Sequence, residues 1–374
     1  MGRITPLQVY MLFSQFLFST TIGFYISPIV KEASFSVWIS LILGSVIGLF
    51  ITYLSIRLSM RRPDRSLGQY GHEILGKWFH YPIIIFIILM KMFSAAFLLR
   101  QLLDFVIQNF LQGTPDWAVA SLFGLVIAVG IRSGPVTLFR SAQGLFFFSI
   151  LAAFLFPLFA AQEINMDMSI AFVTNLNLTN TWNGGILIAG SFAEMAMIVF
   201  IFPYCGQQNK VMKALVWAVV TSIIVTLANL ITCIMLFGPD LTANMTYPTL
   251  ELIRYIRAGA FLENLDPLLI VFWVYTIFIK IGMLLLVAVL ALTHTFGLKD
   301  HKPFSSLMAA TMVILSLYMF KSVGVLEYIT IHSEASIFMF TCSLFSLYLL
   351  IDWLRFGRKE KPSDPLEKAP INGS

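Results

Sequence analysis

Charge is what this chain has least of. Only 11% of its 374 residues are charged, against 58% hydrophobic ones and a mean hydropathy of +0.86. A soluble domain of that length could not cover so much apolar surface with so few charges, so the composition points to a membrane protein. Cysteine is equally scarce. Cys205, Cys233 and Cys342 are too few and too scattered for a disulfide frame or a metal site, and read as small apolar fillers. His72, His80, His294, His301 and His332 have no paired spacing for a metal. Nucleophile elbow, phosphate loop and metalloprotease helix are all missing, so the sequence predicts no enzyme, no catalytic residue, no metal and no cofactor. The net charge of +5 would suit nucleic acid only if the bases shared a face; they fall in alternate loops instead, and no nucleic-acid partner is expected.

What the chain does have is apolar stretches of spanning length. They run at about Leu7–Val30, Ser36–Leu58, Tyr81–Leu111, Trp117–Ile131, Leu138–Ala161, Gly184–Phe202, Ala214–Phe237, Leu268–Leu292, Phe304–Phe320 and Ala335–Trp353. That predicts an all-α integral membrane protein of about ten transmembrane helices. The first stretch is too long for a signal-peptide core and lacks a small-residue cleavage site, so it is expected to stay in the mature chain. Alternate loops carry the bases, from Arg3 through Arg61, Arg62, Arg65, Arg132, Arg140, Lys210, Lys213 and Lys302 to Arg358. The opposite loops carry only Lys31, Arg254, Arg257 and Lys321, beside Asp116, Glu163, Asp167, Asp240, Glu251, Glu263, Asp266, Glu327 and Glu334, which puts both termini in the cytoplasm. Residues 1–353 read as one transmembrane domain with halves of about 1–161 and 184–353, and the charged, proline-bearing tail 354–374 as disordered. Asn177-Leu178-Thr179 and Asn244-Met245-Thr246 match glycosylation sequons too short to carry weight.

Three ionisable residues stand inside these stretches: Lys91 in the third, Glu194 in the sixth and Lys280 in the eighth. A charge at the bilayer centre costs roughly 2.5 to 3.5 kcal/mol on insertion scales, so such groups face one another or an interior cavity. Two stretches also carry breaks. Thr20-Thr21-Ile22-Gly23 interrupts the first, with Pro28 following. In the sixth, Gly184-Gly185 opens the helix, Gly190-Ser191 sits inside it and Pro203 closes it. Glycine and hydroxyl residues at mid-membrane allow a helix to unwind; close helix packing through small residues is the alternative reading. The breaks head the two halves of a five-plus-five chain, and an odd number of spans per half inverts one half against the other. That is the plan of many secondary transporters, whose half-helix ends bind charged groups.

Two loops are organised. Tyr247–Arg257 has Pro248 near a helix start and Leu250, Ile253 and Ile256 on one side, which suggests an outer helix over the cavity mouth; ordinary loop packing is the alternative. Met60–His80 has Leu67, Tyr70, Ile74, Leu75 and Trp78 at helical spacing, suggesting an amphipathic helix at the lipid surface with Trp78 at the interface. Arg100 and Asp104, four residues apart, read as a structural ion pair.

The run YPTLELIRYIRAGAFLENLDPLLIVFWVYTIFIK at Tyr247–Lys280, the broken first helix, and Phe202-Pro203-Tyr204 closing the sixth resemble the B subunits of nutrient germinant receptors of endospore-forming bacteria. The resemblance covers nearly the whole chain. It implies a fold similar to amino acid–polyamine–organocation transporters, a place in the spore inner membrane, and assembly with an A subunit and a lipoprotein C subunit. It further implies a sensor of a small nutrient, often an amino acid or sugar, that triggers ion release and germination. In that fold spans one, three, six and eight surround the site, giving ligand-binding candidates Thr20, Thr21, Gly23, Lys91, Gly190, Ser191, Glu194 and Lys280, and gating candidates Tyr247, Pro248 and Glu251. Lys280 in place of a coupled ion would suit a sensor or an ion-independent carrier. A purely structural role for the three charges, and a free-standing amino-acid or cation-coupled transporter, stand as alternatives.

Overall fold

The first helix begins where the sequence caps it. Thr5 accepts from the amide of Gln8 at 3.2 Å, Gln8 Oε1 accepts from the amide of Thr5 at 3.0 Å, and Pro6 follows at the first helical position. The computed structural model of the chain describes residues 2–161, 164, 166–255, 266–319, 329 and 335–357. Helix α1 (Pro6–Thr20) passes through a π turn at Thr21–Tyr25 into α2 (Ile26–Ala33). Ser34, at φ 46° and ψ −127°, ends that run, and α3 (Val37–Met60) follows. Then come α4 (Leu67–Leu75), α5 (Lys77–Asn109), α6 (Asp116–Arg132), α7 (Pro135–Gly144), α8 (Phe146–Ala160) and the single turn α9 (Ala171–Thr174). The second half holds α10 (Leu178–Ala193) with a 3-10 continuation at Glu194–Phe200, then α11 (Val211–Asn244), α12 (Pro248–Tyr255), α13 (Asp266–Thr295), α14 (Lys302–Tyr318) and α15 (Ala335–Phe356). No strand occurs among the described residues beyond an isolated bridge between Ile4 and Cys205.

These elements correspond to the ten expected spans, although length and composition alone qualify six described stretches, or seven with a bent pair counted as one. The lower number has three causes. Pro6–Met60 scores as one stretch although Ser34 divides it, and Phe146–Ala160 and Lys302–Tyr318 are short. The bent pair is α6 and α7, which meet at 116° across Gly134, a position whose φ of 89° suits only glycine without strain. The fifth span is therefore two helices, α7 and α8, parted at Leu145, rather than one helix from Leu138.

Helix α3 lies along α10, α1 along α11, and α13 along α5. Small residues permit the closest of these contacts: a Cβ on Gly48 would meet Phe192 Cβ at 2.5 Å, and one on Gly184 would meet Ala33 Cβ at 2.7 Å. Gly184-Gly185 thus packs inside α10, which opens earlier at the Asn177 cap, instead of starting the helix. Leu122, Phe147, Leu151 and Ile224 point outward, as side chains covered by lipid should. α4 forms where the inner-loop pattern predicts it, but Leu67, Tyr70 and Ile74 are fully buried against protein rather than lying on lipid. Gly76 ends α4, so Trp78 belongs to α5, where it is 92% exposed. α15 extends three residues past the predicted end at Trp353, so the tail begins later; residues 358–374 of the proposed disordered tail lie outside the described residues. So do Ile256, Arg257 and most of FLENLDPL.

Candidate functional site

Glu194 is the first residue of the 3-10 segment that ends α10, and it is completely buried. Its Oε1 lies 2.9 Å from Lys91 Nζ of α5 and its Oε2 3.5 Å from Lys280 Nζ of α13. The first contact is a hydrogen bond; the second is an ion pair beyond good hydrogen-bond reach. Lys280 also donates to Thr20 Oγ1 at 2.8 Å and sits 4.4 Å from the Phe16 ring centroid, a cation–π distance. Two ammonium groups therefore share one carboxylate in a site closed to solvent. With all three ionised, the cluster carries one positive charge in excess.

The chain is locally broken on both sides of this cluster, and only the first of the two breaks falls where the glycines suggest. In the first span the break falls as predicted around Thr21–Gly23, as a π turn rather than an unwound segment. A π turn leaves carbonyls without helical partners, and side chains from elsewhere take them. Trp273 Nε1 of α13 donates to Ser19 O at 2.8 Å, and Thr249 Oγ1 of α12 donates to Ile22 O at 2.7 Å. Thr21 Oγ1 turns back to Leu17 O at 3.0 Å. Gly23 is needed because the Trp273 indole occupies the space a Cβ would fill. In the sixth span α10 runs straight through Gly190-Ser191 and changes only at Glu194, which corrects the predicted break. Gly190 is a packing residue: a Cβ there would meet the Ala335 backbone at 2.6 Å. Ser191 Oγ is buried and makes no hydrogen bond among the described residues.

Beside the π turn lies a cavity lined by Gly23, Phe105, Phe156, Tyr247, Ile253 and Trp273, with room for about one water molecule, about 20 Å³. Helix α12 covers it as the outer-loop pattern predicts. Tyr247 meets Phe24 and Phe105, Pro248 and Leu250 are buried, and Glu251 faces outward to pair with Arg254 at 3.0 Å. Burial raises the Tyr247 phenol above its usual range, with the Asp104 carboxylate adding to the shift. Arg100 grips Asp104 at 2.7 Å and reaches Asp116 at 3.1 Å, the structural pair expected.

Sequence reasoning missed the closure at the opposite end. Asp352, buried near the end of α15, takes Arg61 at 2.5 Å and Arg62 at 2.9 Å. An acid inside the tenth stretch was the available signal. His294 bridges Ser66 Oγ at 2.7 Å and Tyr204 at 3.2 Å, and Ile4 exchanges backbone bonds of 2.9 Å with Tyr204 and Gly206. Trp273 and Thr249 were also missed, since a cap supplied from 200 or more residues away has no local pattern.

Residues 3–322 match the family model described as Spore germination protein. YfkT of Bacillus subtilis (strain 168) is 30% identical over 310 residues, covering 78% of this chain and 80% of YfkT. Spore germination protein YndE of the same organism is 26% identical over 293 residues, 75% of this chain and 76% of YndE. Among solved structures, MhsT in complex with L-phenylalanine superposes with a TM-score of 0.70 at 11% identity, over 92% of this chain and 88% of MhsT. The chain therefore shares the transporter fold of MhsT.

Proposed function

The chain belongs to the spore germination protein family, and on that premise we propose that it is the membrane subunit of a nutrient germinant receptor, sensing an amino acid or sugar and helping to trigger germination. Its proposed place is the spore inner membrane with both termini cytoplasmic, as a single transmembrane unit of two five-span halves. Its proposed partners are a receptor A subunit and a lipoprotein C subunit.

The observation that carries the reading is the joint at which Lys280 links Thr20, beside the break of the first span, to Glu194, at the break of the sixth. A ligand that competes for any of those groups changes how the two broken spans are held together. Thr20, Thr21, Gly23, Lys91, Ser191, Glu194 and Lys280 are the proposed ligand surroundings, and Tyr247, Pro248 and Glu251 the gate. A cavity of about 20 Å³ holds no amino acid, so entry requires α12 or Trp273 to move. Coupling binding to that motion lets the ligand shift a two-state equilibrium. A switch from about 1:99 to 99:1 needs roughly 5.5 kcal/mol of preference, more than a weak ligand supplies alone, which gives partner subunits their part.

Likeness to MhsT supports a second reading, an amino-acid carrier. Reconstitution of the chain alone in vesicles separates the two. The receptor reading expects saturable nutrient binding without accumulation; rapid concentrative uptake by the chain alone would overturn it.

A further inference from the structure

A groove of about 390 Å³ opens on the outside of the bundle, between the first turns of α1 and α11, and shares no residue with the buried cluster. Leu7 and Tyr10 form one wall and Lys210, Lys213 and Trp217 the other. The Tyr10 and Thr221 hydroxyls, 3.1 Å apart, tie the walls together and fix the groove's width. Both lysines are exposed, and neither makes an ion pair among the described residues. Among the described residues, none that lines the groove is acidic.

Along α11, Lys213, Trp217, Val220 and Ile224 follow at spacings of four, three and four residues, so they share one face of the helix. The last three are apolar and exposed, Trp217 at 56% and Ile224 at 52%. A basic mouth thus leads onto an apolar lane that runs along the membrane-facing side. Tryptophan beside lysine at a helix end is the composition of a membrane interface.

We propose that this groove binds an anionic phospholipid, its phosphate held by Lys210 and Lys213 and an acyl chain lying along Trp217, Val220 and Ile224. A free phosphate would use the lysines and leave the lane without a function. A zwitterionic lipid brings its own cation to a mouth that holds two ammonium groups and, among the described residues, no acid. Charge complementarity and the apolar lane together select a lipid of net negative charge.

The test uses the full chain, stripped of lipid in detergent and offered phosphatidylglycerol, phosphatidylcholine or inorganic phosphate, with retention read by native mass spectrometry and Tm by thermal melting. Phosphatidylglycerol is expected to be retained and to raise Tm, while the other two are not. The double variant Lys210→Gln/Lys213→Gln should bind phosphatidylglycerol about 30-fold more weakly. A photoactivatable phosphatidylglycerol should label the peptide holding Trp217, a readout independent of any loss of stability in the variant. Equal retention of both lipids, equal binding by wild type and variant, an effect reproduced by phosphate alone, or labelling confined to other peptides would each overturn the proposal. So would a partner subunit that occupies the groove and excludes the lipid.

Discussion

Lys91 and Lys280 approach the same carboxylate from opposite oxygens, 2.9 Å from Oε1 and 3.5 Å from Oε2 of Glu194. The spans that carry them are thereby held through one side chain. Removing that side chain's charge leaves two buried cations without their anion, which breaking a buried pair prices at about 3–5 kcal/mol. Glu194→Gln is expected to lower Tm and to shift the nutrient dose–response at matched receptor level. Adding Lys91→Met to Glu194→Gln should recover part of the loss, because one of the stranded cations is then gone. A double variant no more stable than Glu194→Gln would show that the pair is not coupled.

Gly23→Ala should be among the most damaging small substitutions in the chain, because the added methyl enters the space of the Trp273 indole. The same damage should be relieved in Gly23→Ala/Trp273→Ala, although Ser19 O then lacks its donor, at about 1–3 kcal/mol. Thermal melting of the two single variants and the pair checks this. Additive losses would mean that the contact does not set the requirement for glycine.

Helix α12 should act as a lid. Phe24 and Tyr247 meet ring to ring, 6.3 Å between centroids, so cysteines at both positions can be joined by a short bifunctional reagent. The native thiols will not compete: all three cysteines are buried, and burial pushes that of Cys205 up to about 12, leaving it protonated and unreactive at neutral pH. Joining Phe24→Cys to Tyr247→Cys is expected to abolish the nutrient response, and cleaving the linker to restore it. A joined protein that still responds would reduce α12 to packing.

Asp352→Asn should loosen the opposite end. It removes the buried negative charge and one of the two oxygens that accept from Arg61 and Arg62, while Glu73 retains its contacts with Arg62 at 3.8 Å and Arg65 at 2.6 Å. Limited proteolysis between α3 and α4 should accelerate at least several-fold, with little change at α12. Unchanged cleavage would count against a closing role for the acid.

Much of this molecule can be read from residue order, and the exceptions share a cause. Ionisable groups in apolar stretches announce themselves through their insertion penalty, which is why Lys91, Glu194 and Lys280 were legible, and why Asp352 could have been. Helix α12 was legible from the helical spacing of Leu250 and Ile253 behind Pro248. Gly190 misled because a glycine that admits a neighbouring backbone and a glycine that releases a helix look alike in one dimension; only Ala335, 145 residues on, distinguishes them. α4 misled for a related reason, since an apolar helix face does not say whether lipid or protein will cover it. Trp273 and Thr249, which stabilise the π turn, are supplied by tertiary contact alone.

The sharing of Glu194 also has a consequence for biosynthesis. Ribosomes deliver Lys91 first, Glu194 about a hundred residues later and Lys280 last. The acid therefore enters the bilayer with a counterion already waiting, while the first lysine must be tolerated alone through the intervening spans. Translation halted before the sixth span strands that cation in lipid, whereas a halt after the seventh leaves a neutral pair and only the final lysine unplaced. Quality-control proteases that recognise exposed intramembrane charge would thus meet their substrate early in synthesis, and a truncated gene product should be cleared faster when it ends before Glu194 than when it ends after it.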